Sequence, residues 1–391
     1  MKRFLLGSLA LVIATAIWIP SVHFFYQPKL ADYYRPDGIA PKARELAARH
    51  LELWTDPQLR AEEIKRMRGS NAEWDFMGRT FLVLALANMS CREPAAKAQY
   101  LEVIDRIIDE TLRLEKEKGM YFFLMNYARY GEWVAKPERS LFVDGEIALM
   151  LGARRLVEER ADYKPLLHDR IEKIIHQMNQ SPVLAGESYP DECWMFCNTA
   201  ALAAIKISDV LDGTDHGAFL RQWIETAKGR LTDPKTGLLI SSFSQRGEPK
   251  DGPEGSSIWM ATHCLQVVDP VFAADQYARA RKELGRRVCG FSYATEWPRS
   301  WEGPQDIDSG PVIPILNASA GSSGLAFLGA CSFHDTGYLS GLISSLSLGG
   351  FPVERKGKLK YSASNQVGDA VLLYSLVCGP LWQKVEGMGQ R

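Results

Sequence analysis

An all-α fold, a toroid of helical hairpins of the (α/α)6 barrel kind, is predicted from three observations on this sequence. Apolar residues recur at three- and four-residue spacing in about a dozen successive segments, the signature of amphipathic or buried helices. The segments fall in sequential pairs separated by loops carrying Gly, Pro and Asp. Only two short stretches, 236–244 and 120–127, read as strand candidates.

Taken in order, the chain opens with Lys2 and Arg3 and then runs without a charge from Phe4 to Ile19, followed by Phe24, Phe25 and Tyr26. Residues 1–26 are read as a signal anchor or a signal peptide. The uncharged run would reach roughly 24 Å as a helix, short of the ~30 Å hydrocarbon core, with the aromatic tail at the far interface. A small-residue site at Ala14-Thr15-Ala16 is the alternative, cleavage. Either way the basic end stays inside and the body is exported: to the periplasmic face of the inner membrane if anchored, to the periplasm if cleaved. Residues 27–40, rich in Pro and Tyr, form a linker, and 41–391 a single barrel domain. Its helices are predicted over 43–54, 78–91, 96–118, 140–160, 163–180, 192–213, 216–231, 256–269, 270–288, 322–333, 336–347 and 366–382.

Composition removes several function classes. Lys plus Arg number 46 against 47 Asp plus Glu, and no basic stripe with interleaved aromatics occurs, which argues against nucleic acid. No Gly-x-Gly-x-x-Gly after a strand, no Walker loop and no Gly-x-Ser-x-Gly elbow is present. Seven cysteines are scattered along the chain. Cys91, Cys331 and Cys378 lie in apolar helical runs and read as buried small hydrophobes.

Five stretches interrupt the apolar pattern with groups able to do chemistry. Glu73, Trp74, Asp75 and Arg79 enter an otherwise apolar helix. Asp75 is the candidate acid there, although Asp75 and Arg79 stand four apart and make a plain helical ion pair the structural reading. In the second stretch Asp144 favours a helix N-terminus while Glu146, beside Leu149 and Met150, faces inward. The third, 188–198, holds Ser188, Tyr189, Cys193 and Cys197; Pro190 and Asp191 read as a helix start, which would set both thiols on one helix face. Side chains four apart on a helix lie along one another, so a bridge between them is disfavoured, and no histidine pair completes a zinc site. The fourth is His263 in a helix interior, near Trp259, where a satisfied core histidine competes with a catalytic one. The fifth gathers Trp301, Glu302, Asp306 and Asp308 in a Gly- and Pro-framed turn without an EF-hand ligand ladder; Asp308 is a candidate carboxylate for acid-base work at the funnel.

The order of YPDECWMFCN, AALAAIKISDVLDGTDH and TDPKTGLLISSF, with the looser DGEIALMLGARRLV, VVDPVFAADQY and QDIDSGPV, resembles the linalool dehydratase/isomerase family. The likeness spans roughly Trp74 to Asp335 and implies an exported (α/α)6 barrel that works without cofactor. In that family one acid protonates a terpene alcohol, water leaves, and a base takes a proton from the neighbouring carbon. Matched position by position, Cys197 keeps the second family thiol. Ser188 takes the place of the first, Tyr189 that of the adjoining glutamate, and Glu146 that of the family histidine. A family tyrosine falls near Ser257 or Trp259, and Asp75 is the nearest counterpart of an N-terminal aspartate.

These readings give Asp75, Glu146, Tyr189, Cys197 and Asp308 as candidate catalytic groups, and Trp74, Ser188, Trp259, His263 and Trp301 as candidate substrate-binding ones. The expected activity is a lyase or isomerase reaction on a small isoprenoid or other apolar alcohol, with no metal or cofactor, no nucleic-acid partner, a membrane contact through the N-terminal segment and self-association into a homo-oligomer. The replaced family positions keep two alternatives in play: a carbohydrate-active toroid with paired carboxylates, and a non-catalytic envelope protein.

Overall fold

The computed structural model describes residues 2–303, 305 and 309–389. Asp306 and Asp308 therefore lie outside the described residues. The chain is mostly helical. In order it forms α1 (Lys2–Ser21), α2 (Leu30–Tyr33), α3 (Pro41–Thr55), α4 (Pro57–Ser70), α5 (Ala72–Arg92), α6 (Lys97–Lys118), α7 (Leu141–Val157) and α8 (Tyr163–Met178). There follow α9 (Met195–Asp212), α10 (Gly217–Arg230), α11 (Gly255–Leu265), α12 (Pro270–Glu283), α13 (Ala320–Ser332), α14 (Thr336–Gly349), α15 (Gln366–Val377) and α16 (Pro380–Gly389). Small antiparallel sheets sit between helices: β1 (Cys193–Trp194), β2 (Ser242–Phe243) and β3 (Pro249–Asp251) in one, then the pairs β4 (Gly285–Val288) with β5 (Phe291–Ala294), β6 (Val312–Ile313) with β7 (Ala318–Ser319), and β8 (Pro352–Arg355) with β9 (Lys358–Tyr361).

Two kinds of helix separate by sequence pattern. In α5, α7, α9, α11 and α15 nearly every residue is buried, because these helices are apolar all round. By contrast α6 and α8 bury one apolar stripe and show a charged face to solvent. The buried set packs in sequence: α5 on α7, α7 on α9, α9 on α11, α11 on α13, α13 on α15, and α15 back on α5. The helices α6, α8, α12 and α14 cover α5, α7, α11 and α13 in turn. Close approach of α7 to α9 needs Gly152, where a Cβ would come within 2.7 Å of Ile207 Cγ2.

Helix starts follow local chemistry. Asp56 caps α4 through Gln58 and Leu59 N–H, Asn71 caps α5, and Asn365 caps α15 by accepting from Gly368 N–H. A break at Cys378-Gly379-Pro380, with Gly379 at φ +117°, ends α15, so residues predicted as one helix over 366–382 form two. The second, α16, crosses the C-terminal ends of α5, α7 and α9. Leu381 N–H donates to Asn88 Oδ1 at 3.1 Å, Trp382 Nε1 to the His263 carbonyl at 2.9 Å, and Lys384 Nζ to the Leu156 carbonyl at 2.9 Å.

Other local expectations change as well. Residues 120–127 form 3-10 turns, not a strand, and 236–244 contributes an isolated bridge and the two-residue β2. The helix predicted over 270–288 ends at Glu283 and gives way to the β4–β5 hairpin, whose turn places Cys289 and Gly290 at φ +47° and +86°. Within 27–40, Tyr33, Tyr34, Ile39 and Ala40 are buried against the body. At the N-terminus α1 is exposed along its length and, with the 3-10 turn at Val22–Tyr26, makes a 25-residue helical stretch long and apolar enough to cross a membrane.

Candidate active site

The first turns of the six buried helices face one cavity of about 770 Å³. Glu73 and Trp74 come from α5, Phe142 from α7 and Cys197 from α9. Ser257 from α11, Gly321 from α13 and Gly368 from α15 complete the circuit. Most of the remaining wall is aromatic, aliphatic, Gly or Ser, so the few ionisable groups stand in apolar surroundings.

Glu73 reaches this cavity from the first turn of α5. Tyr189, held at a tight turn, donates its hydroxyl proton to Glu73 Oε1 in a short hydrogen bond and itself accepts from Met125 N–H at 2.9 Å. Tyr127 stacks on Tyr189 with ring centroids 4.7 Å apart. Burial raises the Glu73 carboxyl above its usual range, and the hydrogen bond from Tyr189 opposes that rise. Tyr189 is likewise pushed up, first by burial and then by the Glu73 charge.

Cys197 lies across from this pair in the first turn of α9, with the Ser188 hydroxyl hydrogen-bonded to its sulfur. Burial raises its thiol well above the ordinary range, and the carboxyls of Glu146 and Glu73 add to the rise, so it is held as a thiol. Behind the wall Glu146 is fully enclosed and accepts from Thr80 Oγ1 at 2.6 Å. Burial pushes its pKa to about 8, the Thr80 bond working the other way, so Glu146 is predominantly protonated at neutral pH. The site therefore gathers a carboxyl–phenol pair, a neutral thiol and a neutral carboxyl around an apolar space.

On the far wall Asp369, from α15, is raised to about 6 by burial against the pull of Arg49. Among the described residues, no cluster of three or more His, Cys, Asp or Glu has the geometry to hold a metal ion.

The residues expected from sequence divide clearly. Trp74, Ser188, Tyr189 and Cys197 line the cavity, and Glu146 lies directly behind Cys197. Asp75 does not reach it: its carboxylate is buried between Arg79 at 3.2 Å and Arg68 at 3.5 Å, the helical ion pair that its spacing allowed. His263 is a core residue, with Ser332 Oγ and Tyr374 Oη each 2.6 Å from a ring nitrogen and Trp382 stacked on its face. Burial lowers it to about 3, which keeps the ring uncharged near neutrality. Trp259 is fully buried against Tyr277 and Tyr338, its Nε1 donating to Ser322 Oγ at 3.1 Å, and it is Ser256 and Ser257 of the same helix that face the cavity. Trp301 stacks on Trp297 away from the lining. Asp308 falls outside the described residues.

The stretch 188–198 also differs from its expected form. Asp191 sits at φ +52° in a turn, Cys193 and Trp194 form β1, and α9 begins only at Met195. Cys193 therefore precedes the helix and does not share a face with Cys197. Its sulfur lies 3.2 Å from Gln245 Oε1, and all seven cysteines are free thiols.

Residues 146–366 match the linalool dehydratase/isomerase family model. The chain belongs to that family. Within the part that defines the family lie Glu146, Ser188, Tyr189 and Cys197, whereas Glu73 comes from the segment before it and Asp369 from just after. A solved glycoside hydrolase from family 105 of C. acetobutylicum ATCC 824 is similar at 14% identity and a TM-score of 0.43, covering 86% of this chain and 99% of that one.

Proposed function

We propose that this chain is an exported, membrane-tethered acid-base lyase or isomerase of the linalool dehydratase/isomerase family. Its substrate would be a small isoprenoid or other apolar alcohol held in an (α/α)6 toroid, with no metal taking part. The observation that carries the reading is the Glu73–Tyr189 pair and the Cys197 thiol opening onto one apolar cavity. About 770 Å³ falls within the range of small-molecule sites and suits a hydrocarbon with few polar groups.

The chemistry divides into two proton transfers. A donor protonates the substrate hydroxyl, the C–O bond breaks with its electron pair leaving on water, and a base removes the proton on the adjacent carbon. The C–H electron pair becomes the new double bond. Cys197 and Tyr189 hold protons at neutral pH because burial raises both, which fits them as donors. Glu73, which accepts the hydrogen bond from Tyr189 and opens onto the cavity, is the group placed to act as base in its carboxylate form. Neutral Glu146 behind Cys197 keeps a second negative charge out of the site. Apolar walls hold bulk water from a cationic or polarised intermediate.

The carbohydrate reading needs paired carboxylates across an open polar cleft; Glu73 and Asp369 both reach the lining, but the rest of the wall is mostly apolar, which favours the apolar alcohol. The test is direct. Full-length protein in detergent or nanodiscs is incubated with a panel of tertiary and allylic terpene alcohols, and alkene formation or hydroxyl migration is followed by gas chromatography. Turnover that persists when Glu73 and Cys197 are both replaced would remove these residues from the reaction.

A further inference from the structure

We propose that the rim of the cavity is a membrane-seated entrance, so that an apolar substrate passes into the site from the bilayer and not from water. The proposal rests on α1 acting as an anchor, not on the chemistry inside the cavity. Three observations place the rim and the anchor at the same end of the molecule.

The first is how the anchor joins the body. His23, just after α1, packs its ring on Gly290 so closely that a Cβ there would meet ring carbons at 2.3 Å. Phe291 meets His23 and Tyr26 with ring centroids 6.3 and 6.4 Å apart. The second is what that hairpin touches. Ser345 Oγ donates to the Ser292 carbonyl at 2.6 Å, which fixes the Cys289-Gly290 turn against the last turns of α14. Those same turns deliver Leu346 and Gly349 to the cavity wall. The point where the chain leaves the bilayer is thus the mouth end.

The third observation is the rim itself. Residues 309–319, which carry the β6–β7 hairpin, contain no charged side chain. At its tip Ile315 is 99% exposed with φ +71°, an apolar β-branched residue in the left-handed region, beside Ile313 at 58%. Phe351, immediately after α14, is 64% exposed. Exposed apolar side chains at the same end as a membrane-length helix and its exposed aromatic residues, Phe24 and Phe25, match a lipid interface far better than water.

The test uses the full chain reconstituted in vesicles of phosphatidylethanolamine and phosphatidylglycerol. A diazirine-bearing residue is placed singly at Ile315, Phe351, Leu11 in α1, or Leu166 near the start of α8 at the opposite end, and photoadducts are identified by mass spectrometry. Lipid adducts at positions 315 and 351 as well as 11, with none at 166, are the expected result. Labelling at 11 without lipid adducts at 315 and 351 overturns the proposal, as do protein adducts between copies at 315. Failure to label position 11 overturns it too, by removing the anchor. Because the readout requires no turnover, a chain that dehydrates no alcohol leaves this test intact.

Discussion

Glu73 and Asp75 stand two residues apart at the start of α5, and a helix turns roughly 200° over that interval. One carboxylate therefore enters the cavity while the other meets Arg79 and Arg68 on the opposite side. Replacing each separates the roles. Glu73→Gln is expected to lower turnover roughly 10²- to 10⁴-fold with little change in melting temperature. Asp75→Asn leaves Arg79 buried with Glu110 as its remaining carboxylate, and is expected to destabilise by roughly 3 kcal/mol in denaturant titrations while activity per folded molecule persists. Glu146 makes a pH prediction. Its carboxyl has a pKa of about 8 in the fold against a usual value of 4.5, so the native state binds a proton that the unfolded chain has released. That stabilisation is complete below the unfolded value and is lost as pH rises through the folded one. Thermal unfolding of the wild type should therefore show a falling melting temperature between about pH 5 and pH 8, and Glu146→Gln should flatten that slope.

At the scale of elements, close packing of the buried helices rests on small residues. Gly152→Ala pushes a methyl into Ile207 and is expected to cost roughly 1–3 kcal/mol, read by chemical denaturation. Helices were the legible part of this sequence, because a run of apolar residues at helical spacing suffices to identify one whether it is buried all round or on one stripe. The hairpins were hidden. Val288-Cys289-Gly290-Phe291 and Arg355-Lys356-Gly357-Lys358 turn through paired positive-φ residues that lack the usual Asn-Gly signal, and their four-residue strands, GRRV, FSYA, PVER and KLKY, are too short and too polar to show a clear alternation. The same difficulty affected 188–198, where Asp191 in a left-handed turn took the place of an expected helix start. Of the candidate site, Trp74, Ser188, Tyr189 and Cys197 were reachable from position and resemblance. Glu73 was visible in the same stretch as Asp75, and the 73, 77, 80 spacing was the available signal: Glu73 and Met77 line the cavity and Thr80 meets Glu146. His263 and Trp259 misled because polar or aromatic residues inside an apolar helix look alike whether they face a cavity or bond within the core.

For the molecule as a whole, the proposed membrane location rests on α1, a helix long and apolar enough to cross a membrane. Full-length chain from cells is expected to sediment with membranes, to resist alkaline washing and to need detergent for release; intact-mass analysis would show its first residues still present. A form beginning after Ala16 in the soluble fraction would instead mark a cleaved leader. Across the C-terminal ends of the buried helices lies α16, which ties itself to α5, α7 and α11 through Asn88, Leu156 and His263. In the proposed reaction, water released from the substrate shares the cavity with the alkene until one of them leaves by the mouth. The leaving oxygen and the oxygen of bulk water then form separate pools. An alcohol carrying heavy oxygen in its hydroxyl should return that same atom in any isomerised product more often than free exchange with solvent would allow.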